Sequence, residues 1–236
     1  MKILAIESCC VVASCAICED DFVLASSKIA TGLTHSQTLM VLVDDMFKTS
    51  KIDKSEIDAV AVSIGPGSFT GLRIGMALAK GIAMGLQKPL IGVETLKALS
   101  YNLLGVDGFI CPCLDARRDT VYTALFESKD LVFRRVLDDF VEEIVNLKEI
   151  LKEKKGRIFL VGDAAKDCYL KFKDLDNIFL GPPSLRYPDA CSVGFLGMEQ
   201  FKKGEVKKEV LPKYLRLSQA ERQRQEKLNS KEEKEQ

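Results

Sequence analysis

Read for the alternation of apolar and polar positions, the chain falls into two runs of elements in the same order. In the first half, short apolar or alternating stretches predict strands over residues 2–8, 11–18 and 22–28. A helical stretch over 35–48 follows, introduced by Thr34 and Gln37 at capping-box spacing. A strand at 59–63, a helix at 69–86, a short strand at 89–93 and a helix at 94–104 complete the half. The second half predicts strands near 109–114, 120–126 and 131–137, then a helix over 140–152 with Asp139 and Glu142 as its capping box. A strand at 157–161, a helix near 164–172, a strand at 177–180 and a helix at 190–203 close it. Both halves read βββαβαβα, with no sequence identity between them.

Two tandem βββαβαβα halves predict an α/β fold of two ribonuclease-H-like lobes, the arrangement of the actin, Hsp70 and sugar-kinase superfamily. The lobes are expected over 1–106 and 107–217, with a seam near 105–108 and a tail over 218–236 rich in Glu, Lys, Arg and Gln. A chain of 236 residues has room for two lobes of roughly 100 residues. Lys+Arg and Asp+Glu balance at 34 each, so no global field draws the protein onto nucleic acid or an anionic membrane. Glu7 and Ser8 interrupt the apolar run behind Lys2, which excludes a signal sequence there. Lys80 breaks the nearest approach to the ~18 apolar residues of a membrane helix. The expectation is a cytoplasmic protein with no membrane partner. Of the eight cysteines, Cys15 and Cys18 have the C-x-x-C spacing of a zinc site. On a strand, however, they point to opposite faces, and no second C-x-x-C completes the set. Buried thiols in a reducing compartment are the better reading.

Two helices are more apolar than one sheet requires. Leu39-Met40-Val41-Leu42-Val43 is apolar all round, and Met46 and Phe47 extend it. In the second, Gly71, Gly75, Ala79 and Ala83 form a smooth stripe at four-residue spacing. Each helix-interior glycine costs roughly 1 kcal/mol relative to alanine, so the stripe implies a packing requirement. It fits either the helix's own sheet or a partner.

The segment feeding that helix, Gly65-Pro66-Gly67-Ser68-Phe69-Thr70-Gly71-Leu72-Arg73-Ile74-Gly75, fails both familiar phosphate fingerprints. No Gly-Lys-Ser/Thr follows Gly67, and Thr70 stands where a dinucleotide loop needs its third glycine. ATPases of the two-lobe architecture hold phosphates in the turns between each lobe's first two strands. Those turns are here Glu7-Ser8-Cys9-Cys10-Val11 and Asp115-Ala116-Arg117-Arg118-Asp119, both without glycine, and Asp115 alone matches the expected acid. The one histidine, His35, has no second histidine to make a metal motif, and a serine or cysteine protease would have to use it as base. No metal and no cofactor is expected on the chain alone.

The segment 65–75 closely resembles the signature of the TsaB (YeaZ) family, proteins of tRNA N6-threonylcarbamoyladenosine biosynthesis. Met1 to Ser8 resembles the family's opening strand, with Glu7-Ser8-Cys9 where Asp-Thr-Ser is common. His35-Ser36-Gln37, Asp115-Ala116-Arg117 with Val121-Tyr122, and Pro212-Lys213-Tyr214-Leu215-Arg216 resemble its first helix, second hairpin and ending. The resemblance implies a degenerate, non-catalytic relative of the metal-binding transferase TsaD. Such a chain binds TsaD, with TsaE as a further ATPase partner, pairs with itself when TsaD is absent, and meets tRNA only through the complex. It further implies that the two apolar helices form the partner surface, through His35, Leu39, Leu42, Val43 and Met46 on one and Phe69, Gly71, Leu72, Arg73, Gly75, Met76 and Ala79 on the other. Asp115 and Arg117 become the candidate edge of an ATP or ADP site at a subunit junction. The alternative is an independent hydrolase of peptidase type, or an ATPase or small-molecule kinase of the same superfamily.

Overall fold

Strand β1 (Lys2–Glu7) is the axis of the first sheet. It pairs antiparallel with β2 (Ala13–Glu19), Ile3 opposite Cys18 and Ile6 opposite Cys15, and parallel with β4 (Ala59–Ser63). With β3 (Phe22–Ile29) and β5 (Leu90–Val93) at the edges, the order is β3-β2-β1-β4-β5. In the second sheet β6 (Gly108–Asp115) takes the place of β1, between β7 (Thr120–Lys129) and β9 (Ile158–Val161). Its edges are β8 (Val132–Glu143) and β10 (Ile178–Leu180), giving β10-β9-β6-β7-β8. Numbered within its own half, each sheet has the order 3-2-1-4-5, antiparallel through its hairpins and parallel beyond. The repeat read in the sequence is thus a repeat of topology: two ribonuclease-H-like lobes. This computed structural model describes residues 1–216, and the tail expected over 218–236 lies outside the described residues.

The central strands are apolar throughout because both faces are covered. On one face Leu4, Ile6, Cys15, Val60 and Val62 lie under α1 (His35–Ser50) and α2 (Phe69–Leu86). On the other, Ile3, Ala5, Ala16, Cys18 and Ala61 lie under α6 (Ala190–Lys202). Cys15 and Cys18 do project to opposite faces: Cys15 Sγ is 3.8 Å from Met46 Sδ, and Cys18 Sγ is 3.8 Å from the Cys191 carbonyl oxygen. All eight cysteines are free thiols, and seven are buried.

Two differences from the sequence reading matter beyond a shift of a few residues at element ends. The helix expected to begin at residue 140 begins later, as α4 (Ile144–Lys152), because β8 continues to Glu143. Asp139 is no cap. Its carboxylate is 1% exposed and is held by Arg135 and by Lys213 Nζ at 2.9 Å. The second difference is an exchange of helices. Helix α3 (Thr95–Tyr101) sets Leu96 and Leu99, together with Leu103, against Ile110, Leu114 and Phe126 of the second sheet. Helix α6 packs on the first sheet although it closes the second half. The lobe expected over 107–217 therefore gives its last helix to its neighbour. An apolar helix face records that a helix must be covered but not by which sheet. Helix α5 (Ala165–Lys171) completes the second lobe.

By length and composition α2 could cross a membrane. Instead Gly71, Leu72, Gly75, Ala79 and Ala83 are buried on the sheet, while Arg73 and Lys80 are exposed.

Candidate functional site

Beyond the carboxyl ends of β1, β4, β6 and β9 the lobes face each other across a cleft of about 820 Å³. One wall is the β1–β2 turn and the start of α2, and they are bound closely together. Ser68 N–H donates to the Cys9 carbonyl at 2.7 Å, and the Ser8 hydroxyl donates to the Gly71 carbonyl at 2.8 Å. Cβ atoms built at Gly71 and Gly75 would stand 2.1 Å from Ser8 O and 2.1 Å from Ser8 Oγ, so a side chain would meet fixed backbone at Gly71 and would have to displace the Ser8 hydroxyl at Gly75. Of this turn, the Cys9 carbonyl and the Ser8 hydroxyl are spent on the helix. His35 closes the rim with Nε2 2.7 Å from the Cys10 carbonyl oxygen, which fixes that nitrogen as the protonated one. Below the turn the Glu7 carboxyl is buried, accepting from Cys9 N–H at 2.6 Å and from the Ser63 hydroxyl. Burial pushes its pKa above the ordinary glutamate range despite those hydrogen bonds.

The second wall is the β6–β7 turn with Asp163. Arg117, Arg118 and Asp119 have φ of 69°, 54° and 57°, three left-handed residues in succession and none a glycine. Such strain persists only where neighbours over-determine the turn. Here the Asp115 carboxylate accepts from Arg117 N–H at 2.7 Å, and Arg216 Nη1 donates to the Ala116 carbonyl at 2.6 Å and to Thr120 Oγ1 at 2.8 Å. Asp115 and Arg117, singled out from sequence, do line the cleft. Asp163 was missed. Its carboxylate accepts from Asp115 N–H at 2.9 Å, and burial, with the Asp115 charge adding to it, raises its pKa. The signal was present in the repeat: Gly162-Asp163 follows β9 as Gly65 follows β4, and the ends of parallel strands are where such folds place their sites.

Residues 212–216 run as a strap that joins residues of the two cleft walls, Phe69 on one and Ala116 on the other. Lys213 N–H donates to the Ile64 carbonyl at 2.7 Å. Lys213 Nζ reaches Glu94 of the first lobe at 2.5 Å and Asp139 of the second at 2.9 Å, and Arg135 bridges the same two carboxylates. Burial works against the Glu94 charge, yet the hydrogen bond from Lys213 and the Arg135 guanidinium hold its carboxyl below the usual range. Tyr214 stacks on Phe69 with ring centroids 4.4 Å apart, and Arg73 caps the pair with Nε 3.0 Å from the Tyr214 hydroxyl.

The residues expected to make a partner surface divide sharply. Leu39, Val43, Met46, Gly71, Leu72, Gly75 and Ala79 are buried within the chain. Leu42 and Met76 sit half-buried at the rim of the same core, Phe69 lies under Tyr214, His35 is on the cleft, and Arg73 is exposed. The stripe at 71, 75, 79 and 83 faces inward because the end of β1 comes within contact distance of it. A second small-residue row, Ala77, Gly81 and Gly85, faces out; a Cβ at Gly81 or Gly85 meets nothing within 4 Å. On these two helices Met40, Val41 and Met84 are 49%, 55% and 70% exposed. The outward positions of α1 and α2 thus carry Met40, Val41 and Met84 among polar neighbours such as Asp45 and Lys80, and they differ from the residues named from the sequence.

A family model described as TsaD, tRNA N6-adenosine threonylcarbamoyltransferase, matches residues 29–181. The chain is 31% identical over 226 residues to the tRNA threonylcarbamoyladenosine biosynthesis protein TsaB of Bacillus subtilis (strain 168), covering 94% of this chain and 96% of that protein. It is 36% identical over 129 residues to the protein of the same name from Escherichia coli (strain K12), 54% of this chain and 55% of the other. Among solved structures, YeaZ from Pseudomonas aeruginosa superposes with a TM-score of 0.76 over 91% of this chain and 99% of that one. At 24% identity that is a likeness of fold.

Proposed function

The chain belongs to the TsaB (YeaZ) family of tRNA threonylcarbamoyladenosine biosynthesis, and from that premise we propose that it acts as a non-catalytic subunit that binds and activates a TsaD-type transferase. The observation that carries this reading is the outer face of α1 and α2. Met40 and Val41 stand exposed on α1, and Met84 stands exposed on α2 between Gly81 and Gly85, where a built Cβ meets nothing within 4 Å; such positions suit close approach by a second pair of helices. The same face suits a second copy of the chain when the transferase is absent.

The cleft supports a non-catalytic role for a separate reason. The turn where an ATPase of this fold would cradle phosphate carries no glycine; its Cys9 N–H is taken by the Glu7 carboxyl, and its Cys9 carbonyl and Ser8 hydroxyl are engaged by the start of α2. The other turn presents Asp115 and Arg117 at the rim, where a nucleotide could be shared with a partner but is not enclosed by this chain. A TsaE-type ATPase would join at the assembly, and tRNA would be met through the transferase. The rival reading, an independent hydrolase or kinase, requires substrate chemistry from the chain alone.

Reconstitution separates the two. Transferase, synthase and ATPase components are mixed with unmodified tRNA, with and without this chain, and N6-threonylcarbamoyladenosine at position 37 is read by mass spectrometry. The proposal expects modification to depend on the chain, while the chain by itself binds Mg-ATP weakly. Tight Mg-ATP binding and hydrolysis by the isolated chain would favour the rival.

A further inference from the structure

We propose that the strap at 213–216 is a latch that sets the width of the inter-lobe cleft, so that the cleft opens by release of Arg216 and Tyr214 and not by free hinging of the lobes. The strap touches both walls. On the first lobe it is fixed through Lys213 N–H to Ile64 and through the stack of Tyr214 on Phe69, itself a residue of the cleft wall. On the second it is fixed through Arg216 to Ala116 and Thr120, the residues on either side of the strained turn that forms the opposite wall. Between these anchors Lys213 and Arg135 each bridge Glu94 of one lobe and Asp139 of the other. Two cations and two carboxylates make a neutral set across the seam, closed by geometry that a change in lobe angle would break.

Deeper in, the lobes share an apolar cluster in which Cys10 and Val12 meet Leu114 and Ala124. That cluster is non-directional and tolerates a small rotation about itself. The strap's hydrogen bonds do not, since such bonds weaken steeply with misalignment. The turn adds a second consequence. Three consecutive left-handed residues are held in place in part by Arg216, so releasing the strap also lets that wall relax.

Cys10 provides the gauge. It lies at the floor of the cleft where the lobes meet and is 4% exposed, so opening uncovers it. Cys15 lies in the core on the far face of the first sheet and is uncovered only by unfolding of that lobe. The experiment alkylates native protein with iodoacetamide and follows both thiols by peptide mass spectrometry in the unmutated chain, Arg216→Ala and Tyr214→Ala. Either change should speed Cys10 labelling by about tenfold or more, the factor set by losing the hydrogen bonds of the Arg216 guanidinium or the Tyr214 stack, with Cys15 unchanged. Unaltered Cys10 labelling in both variants would overturn the latch. So would equal acceleration of Cys10 and Cys15, which would make the strap a general stabiliser of the fold.

Discussion

Adding one methyl group to the inner stripe of α2 should damage folding and leave association alone. At Gly75 the new Cβ would stand 2.1 Å from Ser8 Oγ and 3.2 Å from Ser8 Cβ, inside normal contact. The hydroxyl must rotate away, which breaks its 2.8 Å bond to the Gly71 carbonyl. Overpacking of this kind costs about 1–3 kcal/mol, and the lost hydrogen bond about 1 kcal/mol. Against that, alanine gains about 1 kcal/mol of helix propensity over glycine. The net loss for Gly75→Ala is therefore about 1–3 kcal/mol, or a fall in Tm of about 2–12 °C for a chain of this size. Gly71→Ala should be worse, because the atom met at 2.1 Å is the Ser8 backbone oxygen, which has no rotamer to escape into. Ser8→Ala placed in the Gly75→Ala background removes the colliding oxygen and should recover part of the loss. Gly81→Ala is the control. With nothing within 4 Å it should show the propensity gain alone, about 2–4 °C upward. Calorimetric melting of the four variants, with sedimentation to record association, tests the set. A Gly75→Ala protein that melts at or above the unmutated chain while failing to associate would show that the stripe faces a partner, and the packing described for α2 would be wrong.

Two other changes follow from strain and charge. Arg118 holds φ of 54° without being glycine and makes no ion pair among the described residues, so Arg118→Gly should relieve about 1 kcal/mol and raise Tm by about 2–4 °C; an unchanged or lower Tm would contradict the strain. Glu7 has a folded pKa above its unfolded value near 4.5, so the folded state holds the proton more tightly. Its contribution to stability is complete below pH 4.5 and is lost as pH rises through the raised folded value. Glu7→Gln, which keeps an oxygen for Cys9 N–H, should gain on the unmutated chain in melting temperature progressively above pH 4.5. A difference independent of pH would contradict the raised pKa.

The fold was legible because its signals are local and repeated. Buried strands such as β1 and β4 read as unbroken apolar runs, and the order of elements recurs closely enough to give the topology twice. What failed were choices that spacing leaves degenerate. Asp139 and Glu142 have the spacing of a cap, but Asp139 is committed to Arg135 and Lys213, a partner 74 positions away. Small residues recur every four positions on two rows of α2, and which row faces inward depends on how near the end of β1 approaches. Helix α6 carries an apolar face without a destination. In the cleft, Asp115 was visible because it sits in a hairpin turn, whereas Asp163 becomes visible only when the two halves are superposed as repeats. The strap was seen as a family ending; its role in joining the lobes depends on contacts with residues 74 to 149 positions away in sequence.

The proposed function turns on the outer face of α1 and α2 as the surface that would meet the transferase. Isothermal titration of this chain against a TsaD-type protein, with Val41→Glu and Met84→Glu placed on the open face, tests it directly. The account predicts a stoichiometric complex for the unmutated chain. It also predicts that affinity falls at least tenfold for either variant, with melting temperatures of the free chains unchanged because neither side chain is buried. Undiminished binding by both variants would place the partner elsewhere on the molecule and contradict the central claim.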